Sequence, residues 1–271
     1  MATFSFEGRE IYYEDHGAGK PLLVLNGIFM SCASWDKFVP AFSQKCRLLL
    51  LDFFDQGRTA KRESDYEQGE QVALVDAFYT HLGLQTCSIV GISYGGEIAL
   101  QYAAAYPEKV EKLILSNTAA HTSEWLRDIG HSWEYACKSH DGRQFFKTCI
   151  PIVYSPQFYG KNYAWASARE ALFERVFTAE IYEAFARLIR SAERYDVRTR
   201  LSAITASTLV ISAEHDYVTP LYQQKEIVAG IGNAAHAMIM DAGHAVMYEK
   251  PAEFITLVLG FMTSDTNIQL V

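Results

Sequence analysis

The sequence predicts an α/β fold: a mostly parallel sheet with helices on both faces. Three observations point there. Six short apolar runs read as buried strands. Between them stand segments with apolar residues at helical spacing. One junction, Gly91-Ile92-Ser93-Tyr94-Gly95-Gly96, is a tight passage from strand into helix. Strands alternating with helices require parallel pairing through right-handed crossovers, which cover both sheet faces.

The elements follow in chain order. Thr3 to Phe6 and Glu10 to Glu14 are β-prone runs around a Gly-containing turn, as in a hairpin. Pro21 to Asn26 is a continuous apolar run ending in Asn-Gly, and Cys46 to Asp52 is a second. Ser88 to Gly91, Val110 to Ser116, Thr208 to Ser212 and Ala237 to Met240 are the remaining four. Val72, Val75, Phe78, Tyr79 and Leu82 share one face of a helix. Ile98, Tyr102 and Ala105 repeat the pattern after Gly96, and Pro107 stops it. Phe254, Leu257, Val258 and Phe261 predict a C-terminal helix with Pro251 in its first turn.

The alternation breaks between about Ala119 and Arg200. No strand pattern occurs there, whereas Asn162 to Phe177 and Thr178 to Ala192 are helical by pattern and propensity. A helical insertion between strands cannot join the sheet and is expected to pack over one edge. No repeat, low-complexity tract or Pro/Gly/Ser linker marks a hinge. The expected division is therefore one core, residues 1–118 and 201–271, with residues 119–200 as a helical cap.

Composition narrows the class. Among 271 residues, 49% are hydrophobic and 21% charged, enough for a substantial core and too apolar for disorder. The net charge is −8 and the pI about 5.5, which argues against nucleic acid or an anionic membrane as partner. No apolar run approaches the roughly 20 residues that a bilayer span needs. MATFSFEGRE carries no basic region followed by an apolar one, so a cytoplasmic location is expected. The five cysteines are widely spaced without a CxxC, so neither a disulfide framework nor a zinc site is expected. A small-molecule substrate is the expected partner, with no metal and no cofactor; oligomeric state is not encoded legibly.

Gly91-Ile92-Ser93-Tyr94-Gly95 is Gly-x-Ser-x-Gly. The motif is short and occurs by chance, but here an apolar strand precedes it and a helix follows. Small flanking residues let strand and helix approach closely, and the serine is pushed into sparsely allowed backbone space. Its hydroxyl then stands at a helix N-terminus, where amides and the dipole favour negative charge.

A serine nucleophile needs a base, and the base an orienting acid. Of eight histidines, His244 follows the Ala237–Met240 run through Asp241-Ala242-Gly243, at the carboxyl edge of the sheet where ligands bind. The other seven lie in turns, helix ends, loops or the insertion. Asp216, in Ser212-Ala-Glu-His-Asp216-Tyr-Val-Thr-Pro220, lies between serine and histidine in the chain. Glu214 and His215 are its rivals, and a plain turn aspartate is the structural reading.

The order Ser93…Asp216…His244 and the strand–turn–helix context resemble the α/β-hydrolase superfamily, over nearly the whole chain. The resemblance implies a sheet of about eight strands, a cap after the sixth, and an acyl-enzyme mechanism without a cofactor. It also implies an oxyanion hole from two backbone amides: that of Tyr94, after the nucleophile, and one in the loop Asn26-Gly27-Ile28-Phe29-Met30. Similarity to the family's His-Gly-x loop selects Ile28, with Phe29 next. Asn26 stands where many members have histidine, and Asp52-Phe-Phe-Asp-Gln-Gly57-Arg-Thr departs from Asp-x-Pro-Gly-x-Gly-x-Ser. Asp55 and Gln56 there could face the site or serve a structural turn.

Fifteen of the 36 aromatic residues fall in the insertion. Most would form the cap's own core. Trp125, Trp133 and Tyr154, with Phe29, are the candidates to line an enclosed, apolar pocket. The expected activity is hydrolysis of a carboxylic ester or lactone with an apolar acyl part. The same triad serves thioester hydrolysis, acyl transfer and C–C hydrolysis, and a receptor that barely turns over its ligand is the non-enzyme alternative. Ala184 to Arg200, followed by Leu201-Ser-Ala-Ile204, resembles enol-lactone and C–C hydrolases.

Overall fold

A computed structural model describes residues 2–264; residues 1 and 265–271, assigned above to the core, lie outside the described residues. Eight strands form one sheet: β1 (Ala2–Phe6), β2 (Arg9–His16), β3 (Pro21–Leu25), β4 (Arg47–Leu51), β5 (Cys87–Ile92), β6 (Val110–Ser116), β7 (Ser207–Ala213) and β8 (Ala234–Ile239). Their order is β1-β2-β4-β3-β5-β6-β7-β8. The β1–β2 hairpin and the β2–β4 pair are antiparallel, and every other pair is parallel.

Helices flank the sheet: α1 (Val39–Ser43), α2 (Gln68–Leu82), α3 (Tyr94–Ala105), α4 (Glu124–Lys138), α5 (Gly142–Cys149), α6 (Pro156–Lys161), α7 (Tyr163–Val176), α8 (Ala179–Ser191), α9 (Leu221–Gly230), α10 (Val246–Glu249) and α11 (Pro251–Thr263). Strand side chains alternate between faces. Leu23, Leu25, Leu49, Leu51 and Leu113 meet Leu74 and Phe78 of α2 and Ile98 and Tyr102 of α3. Leu22, Val24, Leu48, Leu50 and Ile114 meet Phe42 of α1 and Phe254 and Val258 of α11. Both faces are dry, which is why the central strands read as continuous apolar runs.

Three local expectations change. β8 starts at Ala234 and ends before Met240, because pairing with β7 begins at Thr208↔Ala234. It is an edge strand with exposed residues, so apolar content does not mark its limits. Ala105, the last residue of α3, is exposed where the helical turn runs out. A short helix, α10, precedes the last one.

Five helices, α4 to α8, stand between β6 and β7. Four start on side-chain caps: Ser123, Asp141, Ser155 and Thr178 each accept an amide of their first turn. Ile129 and Trp133 of α4, Phe145 of α5, and Tyr182, Ala186 and Ile189 of α8 form a third core. Phe145 is its centre, with ring centroids of Phe29, Phe173, Phe177, Tyr182 and Phe185 within 5.2–6.2 Å. Ile28, Phe29 and Val218 belong to the same cluster. The insertion therefore sits over the loops that leave β3 and β7, at the carboxyl edge of the sheet.

Candidate active site

Ser93 lies between β5 and α3 with φ +50° and ψ −116°. Such a conformation is costly for a residue with a Cβ and persists only where its surroundings impose it. The Ser93 amide donates to Ser116 O at 3.0 Å, and Thr118 Oγ1 donates to Ser93 O at 2.8 Å. Gly91 and Gly95 permit the turn. A Cβ on Gly91 would stand 2.6 Å from Gly96 Cα, and one on Gly95 would stand 2.1 Å from Leu25 O. Strand, turn and helix thus meet at backbone contact.

His244 Nε2 is 2.9 Å from Ser93 Oγ. On its other side Nδ1 is 3.0 Å from both carboxylate oxygens of Asp216. A carboxylate can only accept, so Nδ1 carries the proton and the Nε2 lone pair faces the serine. Asp216 is buried and also accepts the amides of Val218 and Thr219 at 2.9 Å, Thr219 Oγ1 at 2.8 Å and Asn117 Nδ2 at 2.7 Å. Burial alone would raise its carboxyl. The attraction and hydrogen bond of the His244 ring N–H, with the bonds from Thr219 and Asn117, outweigh burial and hold it below the ordinary 3.8. The structure thus brings together the three residues named from the sequence. Glu214 is exposed and accepts the Asp241 amide at 2.9 Å, and among the described residues neither it nor His215 bonds to the His244 ring.

The loop of His244 is tied to the insertion. The Ala245 amide donates to Val153 O at 2.9 Å. Glu249 Oε1 accepts the amides of Ser155 and Gly243, and Oε2 accepts Ser155 Oγ at 2.6 Å. Asn117, Thr219 and Glu249 carry no signal in one sequence: a polar residue in a loop declares its partner only once the loops converge.

The amides of Ile28 and Tyr94 make no hydrogen bond to any described residue. Both residues line the cavity that contains Ser93. Side chains behind the loop hold it. Gln56 Nε2 donates to Gly27 O at 2.9 Å, and its Oε1 accepts Asn26 Nδ2 at 3.3 Å. Asn26 Nδ2 also donates to Leu51 O at 2.8 Å, and its Oδ1 accepts Trp35 Nε1 at 2.8 Å. Asn26 and Gln56 thus face inward as anchors, and Asp55 pairs with Arg187 of α8. The loop after β4 that carries Asp55 and Gln56 serves structure and does not line the cavity.

The cavity is narrow and partly open to solvent. Its apolar wall comes from Ile28, Leu126, Ile129, Trp133, Ile189 and Val218. Of the ring candidates, Trp133 lines it. Phe29 stands behind, its ring 5.2 Å from that of Trp133. Trp125 is 50% exposed, turned outward by the 2.7 Å bond from Nε1 to Tyr217 O. Tyr154 stacks on Phe158 at 5.4 Å and packs under the His244 loop, away from the cavity lining. Helical periodicity shows which rings share a face, not what covers it. Tyr94 adds a contact the sequence did not announce: its Oη is 2.8 Å from Ser191 Oγ of α8, joining elbow to insertion.

Among the described residues, Glu214, His215 and Asp241 have a cation's donor set, with ligand atoms within 4.8 Å of one another. They lie outside the cavity lining. No described helix is long and apolar enough to cross a membrane.

A family model described as the alpha/beta hydrolase fold matches residues 20–251. The crystal structure of an alpha/beta hydrolase enzyme from a Medee basin deep-sea metagenome library superposes with a TM-score of 0.97 at 41% identity, over 100% of both chains. A pyrrolizixenacetamide deacetylase of Xenorhabdus hominickii is 26% identical, over 94% of this chain and 96% of its own. A 2-hydroxy-6-oxo-6-phenylhexa-2,4-dienoate hydrolase of Comamonas testosteroni is 25% identical, over 93% of this chain and 91% of its own.

Proposed function

Because this chain belongs to the alpha/beta hydrolase fold family, we propose that it is a serine hydrolase cleaving a carboxylic ester or lactone with an apolar acyl part. One observation carries the reading: a buried Asp216–His244–Ser93 relay with 3.0 and 2.9 Å links, ending at a serine held at the helix N-terminus.

Ser93 Oγ attacks the carbonyl carbon as His244 Nε2 takes its proton. Negative charge gathers on the carbonyl oxygen, where the unpaired amides of Ile28 and Tyr94 receive it. The tetrahedral intermediate collapses, the C–O bond to the alkoxy group breaks, and His244 protonates the departing alcohol. Water then attacks the acyl-enzyme, His244 again accepting the proton, and Ser93 is released with the carboxylic acid. Asp216 holds the imidazole tautomer and stabilises its cationic form throughout. The apolar wall around Trp133 supports an apolar acyl group.

Ser93→Ala should lower kcat on a short p-nitrophenyl ester by on the order of 10⁴-fold or more, with Tm unchanged. Wild-type turnover in that variant would refute the nucleophile. The second reading is C–C hydrolysis of a dienoate-type substrate, favoured by the relative of Comamonas testosteroni. A panel of esters, lactones, thioesters and dienoates, compared by kcat/KM, separates the two. It also covers thioester hydrolysis and, with an added alcohol, acyl transfer. Labelling by substrate without steady-state turnover would mark a receptor.

A further inference from the structure

Helix α3 gives the cavity three residues: Ser93 at its N-cap, Tyr94 and Glu97. Glu97 stands one helical turn beyond Ser93. Its side chain is held by a directed chain. Gln101 Nε2 donates to Gln68 Oε1 at 2.8 Å, which orients the Gln68 amide so that its Nε2 donates to Glu97 Oε2 at 2.5 Å. The second oxygen, Oε1, makes no hydrogen bond to a described residue, and no described cation pairs with the carboxyl. Glu97 is 5% exposed. A buried acid without a counter-charge weakens a fold unless another role retains it.

We propose that Glu97 is a specificity-determining residue, hydrogen-bonding through Oε1 to an oxygen of the substrate's acyl part a short distance from the scissile carbonyl. This rests on the serine-hydrolase reading for the position of that carbonyl. Burial pushes the Glu97 carboxyl up to about 8, and the Gln68 hydrogen bond offsets this only in part. Oε2 is already an acceptor, so the proton resides on Oε1 and the group is a donor to the cavity. The favoured ligand group is therefore an acceptor such as a keto oxygen. A wholly hydrocarbon chain leaves the donor unmatched, and sites built around a hydrogen bond discriminate against analogues that lack it.

The test uses a matched pair: p-nitrophenyl hexanoate and p-nitrophenyl 5-oxohexanoate, assayed as kcat/KM with wild type, Glu97→Gln and Glu97→Leu. Wild type should favour the oxo ester by about tenfold, the scale of one well-placed hydrogen bond. Glu97→Gln keeps an N–H donor at the same point and should retain most of that ratio. Glu97→Leu should bring it to about one. A merely structural residue would lower both esters by one factor, and an unchanged ratio in Glu97→Leu overturns the proposal. Ser93→Ala, assayed on both esters, separates the two failures. Retained turnover there refutes the serine nucleophile. Ser93-dependent turnover without an oxo preference in wild type refutes the role of Glu97 alone.

Discussion

The carboxylate of Asp55 and the guanidinium of Arg187 meet as a bidentate pair across the seam between the core and the helical insertion. Nη2 lies 2.8 Å from Oδ1 and Nε lies 3.1 Å from Oδ2. The Asp55 side chain is 0% exposed and that of Arg187 is 11% exposed. The loop after β4 also carries Gln56, so this pair joins α8 to the segment that braces the Ile28 amide.

Arg187→Met strands a buried carboxylate and should lower unfolding stability by about 3 kcal/mol. Asp55→Asn combined with Arg187→Met should recover a large part of that loss. Urea midpoints of the three proteins check both statements, and a single variant within about 0.5 kcal/mol of wild type would show that the pair is dispensable.

Gln56→Ala removes the bonds to Gly27 O at 2.9 Å and to Ile28 O at 3.5 Å, both behind the Ile28 amide, while Gln56 itself does not line the cavity. The amide of Ile28 then loses its fixed aim. Oxyanion stabilisation depends on donors already in place when charge develops. The expected result is a kcat about 10–100-fold lower with KM within about threefold, read from steady-state kinetics on a short ester.

Trp133 and Trp125 should behave oppositely. Trp133 is 6% exposed and forms cavity wall, so Trp133→Ala enlarges the pocket and shifts the kcat/KM optimum toward longer acyl chains. It also costs about 3–5 kcal/mol of stability through the void it leaves. Trp125 is half exposed and turned away, so Trp125→Ala should leave the chain-length profile unchanged. A graded ester series read beside thermal melts tests both.

Glu97 couples stability to pH. Its carboxyl titrates at about 8 in the fold against an ordinary 4.5. Between those values the unfolded chain is ionised at this position while the folded chain keeps its proton. Stability therefore falls as pH rises through that window, by up to about 1.4 kcal/mol per unit, and levels off above it. Its titratable neighbours Tyr94 and Tyr195 stay neutral there, since burial pushes both phenols upward. Arg190 and Glu134, at the cavity, keep their charges, because hydrogen-bonded partners outweigh burial for each. Glu97→Gln should gain Tm relative to wild type between pH 5 and pH 8. Parallel melting curves across that range would refute the buried acid.

Much of this architecture was legible in one chain because it rests on local rules. Runs such as Leu22–Leu25 and Leu48–Leu51 announce strands buried on both faces. The glycines around Ser93 announce a backbone that no larger residue could follow. The helical pattern of Thr178–Ala192 announces α8 in the insertion. The edge strand β8 was harder, since its residues alternate with solvent and its limits come from pairing with β7.

By itself the sequence determined the α/β class, a helical stretch from about Ala119 to Arg200 that interrupts the alternation, and the serine at a strand-to-helix turn with candidate partners spaced along the chain. Only the tertiary structure decided which partners meet. It set His244 between Ser93 and Asp216, turned Trp125 outward and Trp133 inward, made anchors of Asn26 and Gln56, and brought Glu97 to the cavity. The physical reason is range. Periodicity and turn chemistry act over a few residues, whereas hydrogen bonds between loops 28 to 151 residues apart exist only after the sheet aligns its carboxyl ends.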